Sequence, residues 1–267
     1  MAPEPPFPSA REGAVAPERA HRPCVFVAHR RIRRALPGAL LAAVREGVLG
    51  SPLIGSSTLA GSFQGSRGFG VTFTGEGIPQ LLERFGFLKP YWERVRAGPP
   101  ERMLQSLRSR LSRPAPPPPN AFFLNLLMLG PGASVGRHVD ATLAKPSGVL
   151  DATPRLVSVL YLRVPRGARG GELVLDDGAR IRSVVRPREG HLIHFDGRLT
   201  HRVEPFREGP PDQARASLVL EQYHFAPEAL ARLPAFQVHS RAGFAAHLAD
   251  HRQRLQVAAP ARRDPRG

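Results

Sequence analysis

Cysteine and lysine are nearly absent from this sequence. Among 267 residues only Cys24 carries a thiol. That excludes an internal disulfide framework and any zinc or iron–sulfur site built on cysteine, and it fits a reducing compartment. No apolar run approaches the ~20 residues that cross a bilayer. The longest candidate, Ala121–Leu129, is broken by Asn125. The first residues show no basic segment leading into an apolar one, so no secretory signal is read. These absences predict a cytoplasmic protein with no membrane contact. Aromatic residues are also sparse, at 7%, but hydrophobic residues reach 42%, enough for an ordinary globular core of one or two domains.

A net charge of +16 points first to nucleic acid. Two features weaken that. Only Lys89 and Lys145 are lysines, so 36 of the 38 basic residues are arginine. With this much proline, glycine and alanine, that is the residue usage of a GC-rich genome. Half of the net charge also lies in residues 1–35 and 241–267. Basic tails attract polyanions without sequence preference, and a non-specific contact of that kind is what we expect of them.

Along the chain, residues 1–31 have no hydrophobic period and read as an irregular Arg/Pro/Ala-rich tail, with a short strand at 24–28. Residues 32–119 read as a helical support region. Leu36, Leu40, Leu41, Val44 and Val48 recur at helical spacing between Pro37 and Gly50. A loop over 51–67 and a short strand over 68–73 follow. A second helical stretch opens at Pro79 with a break at Pro90, and a third covers 100–113 before the proline connector 114–119. After Asn120 the texture changes. Segments 121–129, 156–164, 171–175, 180–185, 191–195 and 216–225 are short, apolar or alternating, and separated by Gly, Pro and Asp. Such spacing predicts a sandwich or barrel over residues 120–226. Residues 227–267 read as a C-terminal helical extension, with pieces at 228–233 and 242–256, and a basic tail. The fold class is mainly β, within α+β.

The chemistry centres on His138-Val139-Asp140. Residues two apart on a strand share a face, so this pair can grip one ion. His201 follows 63 residues later, enough chain for several strands to return beside the first. Two His and one carboxylate leave open positions on an octahedral ion, the donor set of non-haem Fe(II) oxygenases. The open positions accept a bidentate 2-oxo acid and then O2. His194-Phe195-Asp196 has the same spacing but no comparable later histidine, because His239 and His247 are read as helix or loop. Its alternation also reads as a core strand. Arg215 and Ser217 share a face if 215–217 is a strand. A guanidinium forks onto a carboxylate through two charge-assisted hydrogen bonds, and a hydroxyl adds a third.

The order His138-Val-Asp140, Tyr161-Leu162, Gly170-Gly171-Glu172-Leu173, Gly190-x-Leu192-Ile193-x-Phe195, His201-Arg202-Val203 and Arg215-x-Ser217 resembles the 2-oxoglutarate and Fe(II)-dependent oxygenases, most of all their prolyl-4-hydroxylase-like branch. It covers about residues 120–225. The resemblance implies a double-stranded β-helix (jelly roll) with the metal at one mouth, N-terminal supporting helices and a C-terminal helix. It implies that His138, Asp140 and His201 ligate iron, that Arg215 binds the distal carboxylate of 2-oxoglutarate and that Ser217 assists. Tyr161 matches a tyrosine that helps hold the cosubstrate in some members; as a core aromatic it reads equally well. The implied cofactors are Fe(II), 2-oxoglutarate and O2, with ascorbate as reductant. The implied reaction hydroxylates a peptidyl side chain, amino acid or small metabolite and releases succinate and CO2. The Gly170-Gly171 turn reads as structural.

Some positions depart from the pattern. Arg215 stands where collagen-type hydroxylases have Lys, and Arg163 where Asn is usual. Glu221 stands where nucleic-acid demethylases have a second Arg, which weakens a base-repair reading. Asp140 is present where related halogenases lack the carboxylate. The alternatives are a non-catalytic metal- or ligand-binding jelly roll and a nucleic-acid-directed oxygenase. His191, His194, His224 and His239 read as structural or surface residues. Arg137 and Arg202 point away from the metal by strand alternation. Loops 61–69 and 141–153 are expected to cover the substrate, with Ser147-Gly148 supplying flexibility. Oligomeric state has no signature here.

Overall fold

Strands that are apolar at almost every position need cover on both faces, because successive side chains point to opposite sides. Two nine-residue strands here, β5 (Ala121–Leu129) and β14 (Arg215–Tyr223), are buried along nearly their whole length. The fold places them at the centre of a two-layer β structure. A computed structural model describes residues 29–59, 61–63, 65–96, 117–208, 213–243 and 245.

The larger sheet runs in the order β1 (His29–Ile32), β11 (Leu192–Phe195), β7 (Leu156–Arg163), β14, β5, β3 (Arg67–Gly68) and β2 (Gly55–Ser56). A further strand, β4 (Gly70–Thr74), also pairs with β5 and is joined by β15 (Phe236–His239). The smaller sheet has the order β10 (Ile181–Val185), β9 (Leu173–Asp176), β12 (Thr200–Val203) and β6 (Val135–His138). The short strands β8 (Arg169–Gly170) and β13 (Phe206–Glu208) pair with each other. The chain alternates between the layers: β5 large, β6 small, β7 large, β9 and β10 small, β11 large, β12 small, β14 large. Every pairing is antiparallel. Two sheets wound in this way are a double-stranded β-helix.

The period of two sorts side chains between two cores. On β7, Val157, Val159 and Tyr161 point between the sheets, where they meet Leu127, Leu175, Ile193 and Phe195. Leu160 and Leu162 point the other way, onto a core shared with helices α1 (Gly38–Leu49), α2 (Ile78–Arg84) and α3 (Lys89–Arg96). Val44 and Val48 of α1 and Tyr91, Trp92 and Val95 of α3 fill that second core. Both faces of the large sheet are therefore dry, and its strands read as unbroken apolar runs. Two short α-helices, α4 (Ala144–Ser147) and α5 (Pro227–Leu230), and 3₁₀ turns at Gly61–Phe63, Gly75–Gly77 and Gly86–Leu88 complete the described elements.

Several local expectations shift. The irregular N-terminal tail gives way to structure earlier than residue 32, because β1 begins at His29 and pairs with β11. The second helical stretch breaks at Phe85, not at Pro90; Pro90 sits in the first turn of α3, where a missing N–H costs nothing. His239 lies in β15, not in a helix or loop. The 51–67 loop contains β2 and a turn of 3₁₀ helix at Gly61–Phe63. Ser147 and Gly148 are held in place: Ser147 Oγ donates to Ala144 O, and Gly148 is a left-handed cap at φ +75° packed against Arg232. The expected strand at 24–28 and helix at 100–113 lie outside the described residues, as does the helix at 242–256 apart from residues 242, 243 and 245.

Candidate metal centre

His138 ends β6 and His201 lies on β12, and the antiparallel register sets them directly opposite each other. Opposed residues in such a pair present their side chains to the same face. Their ring centres are 4.2 Å apart, and the 62 residues between them are spanned by the winding of the two sheets. Asp140, two residues past His138, completes the group. His138 Nε2 lies 3.3 Å from Asp140 Oδ1, and His201 Nε2 lies 3.4 Å from Asp140 Oδ2. All the ligand atoms fall within 4.8 Å of one another. Among the described residues no other His, Cys, Asp and Glu side chains converge this way.

The imidazoles are aimed by their other nitrogens. His138 Nδ1 is 2.8 Å from Gly136 O, and His201 Nδ1 is 3.2 Å from Leu199 O. A carbonyl can only accept, so each Nδ1 carries the proton and each Nε2 presents a lone pair to the centre. Burial pulls the His201 pKa down, which keeps that ring neutral as a ligand must be. For Asp140 burial works against charge, but His201 and His138 outweigh it and hold the carboxyl below its ordinary range. His138 Nε2 and Asp140 Oδ2 are buried with no hydrogen-bond partner. Buried polar atoms without partners are rare and call for an explanation. A cation between two lone pairs and a carboxylate supplies it, and the N2O donor set suits divalent iron.

A second unsatisfied group lies deeper between the sheets. Arg215 and Ser217 sit on the inward face of β14, with Ser217 opposite Tyr161 on β7. Arg215 is only 2% exposed. Its Nη1 donates to Gly171 O at 3.1 Å, and its guanidinium carbon lies 4.9 Å over the Tyr161 ring. Arg215 Nε, Ser217 Oγ and the Tyr161 hydroxyl are all buried without partners. Burial drags the Arg215 pKa below its usual value, while Tyr161 and Glu172 oppose that. A buried guanidinium lacking a counter-charge is costly. A carboxylate lodged among these donors would satisfy all of them. The Gly170-Gly171 turn therefore does more than turn the chain, because its Gly171 carbonyl fixes Arg215.

The competing pair goes elsewhere. His194 faces away from the space between the sheets, with Nδ1 2.8 Å from Ser158 Oγ. Asp196 is engaged by the side chain and backbone N–H of Arg198. Arg137 and Arg202 point outward to Asp176 and Glu204. His224 Nδ1 meets Pro118 O, and His239 Nε2 meets Thr72 Oγ1.

Four pocket residues were given no site role from the sequence. Phe63 sets its ring edge-on to His138 at 4.9 Å, and Leu59 also lines the cavity. Asn125, which interrupts the apolar run of β5, lines the cavity. Glu221, noticed only as a departure, is 2% exposed and lines it too. Burial, with the Asp140 charge adding to it, pushes its pKa up to about 8. The alternation of β14 from Arg215 through Ser217 and Val219 was the available signal for Glu221.

No curated protein matches the chain. Among solved structures, the chain is similar to a prolyl hydroxylase from Trichoplax adhaerens in complex with a hypoxia inducible factor oxygen degradation domain peptide fragment. The identity is 16% over 73% of this chain and 83% of that one, with a TM-score of 0.48. It is also similar to a Pseudomonas putida prolyl-4-hydroxylase, at 17% identity over 74% and 93% of the two chains and a TM-score of 0.45. Residues 124–220 match the model of the 2OG-Fe(II) oxygenase superfamily, and that span holds His138, Asp140, His201, Arg215 and Ser217. The two-histidine, one-carboxylate cluster of the jelly roll thus lies within the stretch that is similar to the 2OG-Fe(II) oxygenase superfamily.

Proposed function

We propose that this 2-oxoglutarate- and Fe(II)-dependent dioxygenase is a hydroxylase of a small metabolite, an amino acid or a peptidyl side chain. One observation supports it above the rest. Two sets of buried, unpartnered polar atoms share one cavity: His138 Nε2 and Asp140 Oδ2 beside His201, and Arg215 Nε and Ser217 Oγ, with Tyr161 packed under the guanidinium. Each set is costly alone and is satisfied by one of the two groups such a dioxygenase needs.

His138 and His201 would hold Fe(II) through Nε2 and Asp140 through its carboxylate. Arg215 would pair with the distal carboxylate of 2-oxoglutarate, with Ser217 and Tyr161 donating beside it. When bound, the metal and cosubstrate supply oxidative decarboxylation of 2-oxoglutarate by O2, which yields succinate and CO2 and the oxidant for the substrate. The chain's part is to aim three ligands, anchor one anion and exclude water. Val135, Val157, Leu173 and Phe195 around the cavity provide the dry walls. Glu221 in the same wall offers no second cation to an anionic substrate such as nucleic acid. Among the described residues no helix is long and apolar enough to cross a membrane, and a single cysteine supports a reducing, cytoplasmic setting.

The test is anaerobic. Fe(II) and then 2-oxoglutarate are added to the apo-protein, and the weak charge-transfer absorbance of the chelate is recorded. Air is then admitted, with and without ascorbate, and succinate is assayed. A band followed by succinate is the expected result. A folded protein that binds Fe(II) but gives neither band nor succinate would instead be a non-catalytic metal-binding jelly roll.

A further inference from the structure

Asp140 lies beyond the sheet that positions its partners. The β6–β12 pairing ends at His138 and His201, and residues 139 and 140 have no strand partner. Val139 between the two ligands is exposed. Nothing in the ladder therefore fixes the carboxylate ligand, and its own Oδ2 has no hydrogen-bond donor. Two residues further on, Thr142 is tied across the cavity to Glu221 of β14.

The tie is complete on the Glu221 side. Thr142 Oγ1 donates to Oε1 at 2.7 Å, the Thr142 backbone N–H donates to Oε2 at 3.4 Å, and the Tyr223 hydroxyl also donates to Oε2. Both carboxylate oxygens are engaged, so neither is left aimed at a ligand. Leu143, next along, is buried with Tyr223 and Phe225 in a small separate apolar cluster, which anchors the far end of the turn. An acid in the wall of a dry barrel, near a second acid, is an expensive way to fill space. Its partners say what it holds.

We propose that Glu221 is a positioning residue for the metal carboxylate: by fixing Thr142 to β14 it keeps Asp140 in range of His138 and His201. This rests on the metal assignment proposed above. Glu221 does not touch the metal in this role; it restrains the backbone segment that carries one ligand. Groups that orient a ligand in this manner typically change metal affinity on the order of 10–100-fold when removed.

Co(II) is a suitable probe, because its visible absorbance reports ligand geometry without turnover. The full-length protein is titrated with Co(II), followed by Glu221→Ala, Glu221→Gln, Thr142→Val, Thr142→Ser and the Glu221→Ala/Thr142→Val double variant. Melting temperature is recorded for each. We expect Glu221→Ala to weaken Co(II) at least about 10-fold and to change the shape of the band. Thr142→Val should shift both in the same direction, Thr142→Ser should restore both, and the double variant should be no worse than Glu221→Ala alone. Should Glu221→Ala fail to fold, Glu221→Gln and the Thr142 pair decide the matter. A folded Glu221→Ala with the parent's affinity and spectrum would overturn the proposal. Equal spectra in Thr142→Val and Thr142→Ser would do the same. If the parent itself takes up no Co(II), the metal assignment has failed, which is a separate result.

Discussion

Asp140 and Asp196 each follow a histidine by two positions, yet their environments have little in common. Asp140 is buried between two imidazoles; Asp196 sits at the surface on Arg198. Asp140→Ala should remove Fe(II) binding and succinate formation together. The loss in metal affinity should exceed the ~100-fold typical of removing an outer partner, and equilibrium dialysis would measure it. Arg215→Lys keeps the charge but loses the fork. Its Michaelis constant for 2-oxoglutarate should rise by about 10- to 100-fold, the equivalent of one charged hydrogen bond, with kcat much less affected. The remaining histidine makes a different prediction. Burial, reinforced by Arg30 and Arg94, lowers the His194 pKa from 6.5 to about 4. Between these values the unfolded chain takes up a proton that the folded chain refuses. The His194 contribution is thus fully present above pH 6.5 and is lost as pH falls toward 4, amounting to about 3 kcal/mol at the low end. Urea midpoints at pH 7 and pH 4.5 should therefore converge in His194→Gln. An undiminished difference would remove His194 as the cause.

At the scale of the element, β14 places neighbouring residues in different cores. Leu218 points to the helices and Ser217 into the cavity. Leu218→Ala should cost ~2–5 kcal/mol of stability with 2-oxoglutarate affinity unchanged. Ser217→Ala should leave stability nearly intact and weaken 2-oxoglutarate by roughly 3- to 10-fold, one neutral hydrogen bond. Isothermal titration and thermal melts on the two variants would show the opposite pattern if the register were shifted by one. The β8–β13 pair is constrained by a glycine of β8. Gly170 has φ +82°, and an added Cβ would fall 2.1 Å from Pro205 O. Gly170→Ala should destabilise by at least ~1 kcal/mol and also weaken 2-oxoglutarate, because the adjacent Gly171 carbonyl holds Arg215. Long strands such as β5 and β14 were legible because burial on both faces makes them apolar throughout. The four-residue strands β6, β12 and β15 were not read as segments. β9 and β11 are equally short but almost wholly apolar, whereas β6, β12 and β15 mix Gly, Thr, Arg, Gln and His into four residues and so resemble loop.

At the scale of the molecule, charge and site are separate matters. Half of the +16 net charge lies in residues 1–35 and 241–267, while the site lies between the sheets of the jelly roll. Removing residues 1–28 and 246–267 and changing the exposed Arg31, Arg33 and Arg34 to Gln takes away six net positive charges; it should weaken and flatten the salt dependence of heparin or DNA binding and leave succinate formation unchanged. Polyanion binding that survives these changes would point to the jelly roll surface and revive a nucleic-acid substrate. The helices and the small sheet cover the two faces of the large sheet, so the cavity between the sheets stays dry whatever the tails do.

The sequence alone determined the donor chemistry: one His-x-Asp, a later His and an Arg-x-Ser, in strand-rich chain lacking cysteine ligands. Local alternation was enough for that, because residues two apart on a strand share a face whatever the strand pairs with. The sequence already favoured the first His-x-Asp over the second, although one reason failed because His239 lies in a strand; the tertiary structure added that, among the described residues, only the first pair gathers a second histidine. The choice depends on His201 lying opposite His138 across β12 and β6, a pairing between strands far apart in sequence. It also decided that Glu221 and Thr142 meet, and that Phe63 lies against His138. Contacts between distant strands come from the winding of two sheets around one core, and no local pattern of residues encodes them.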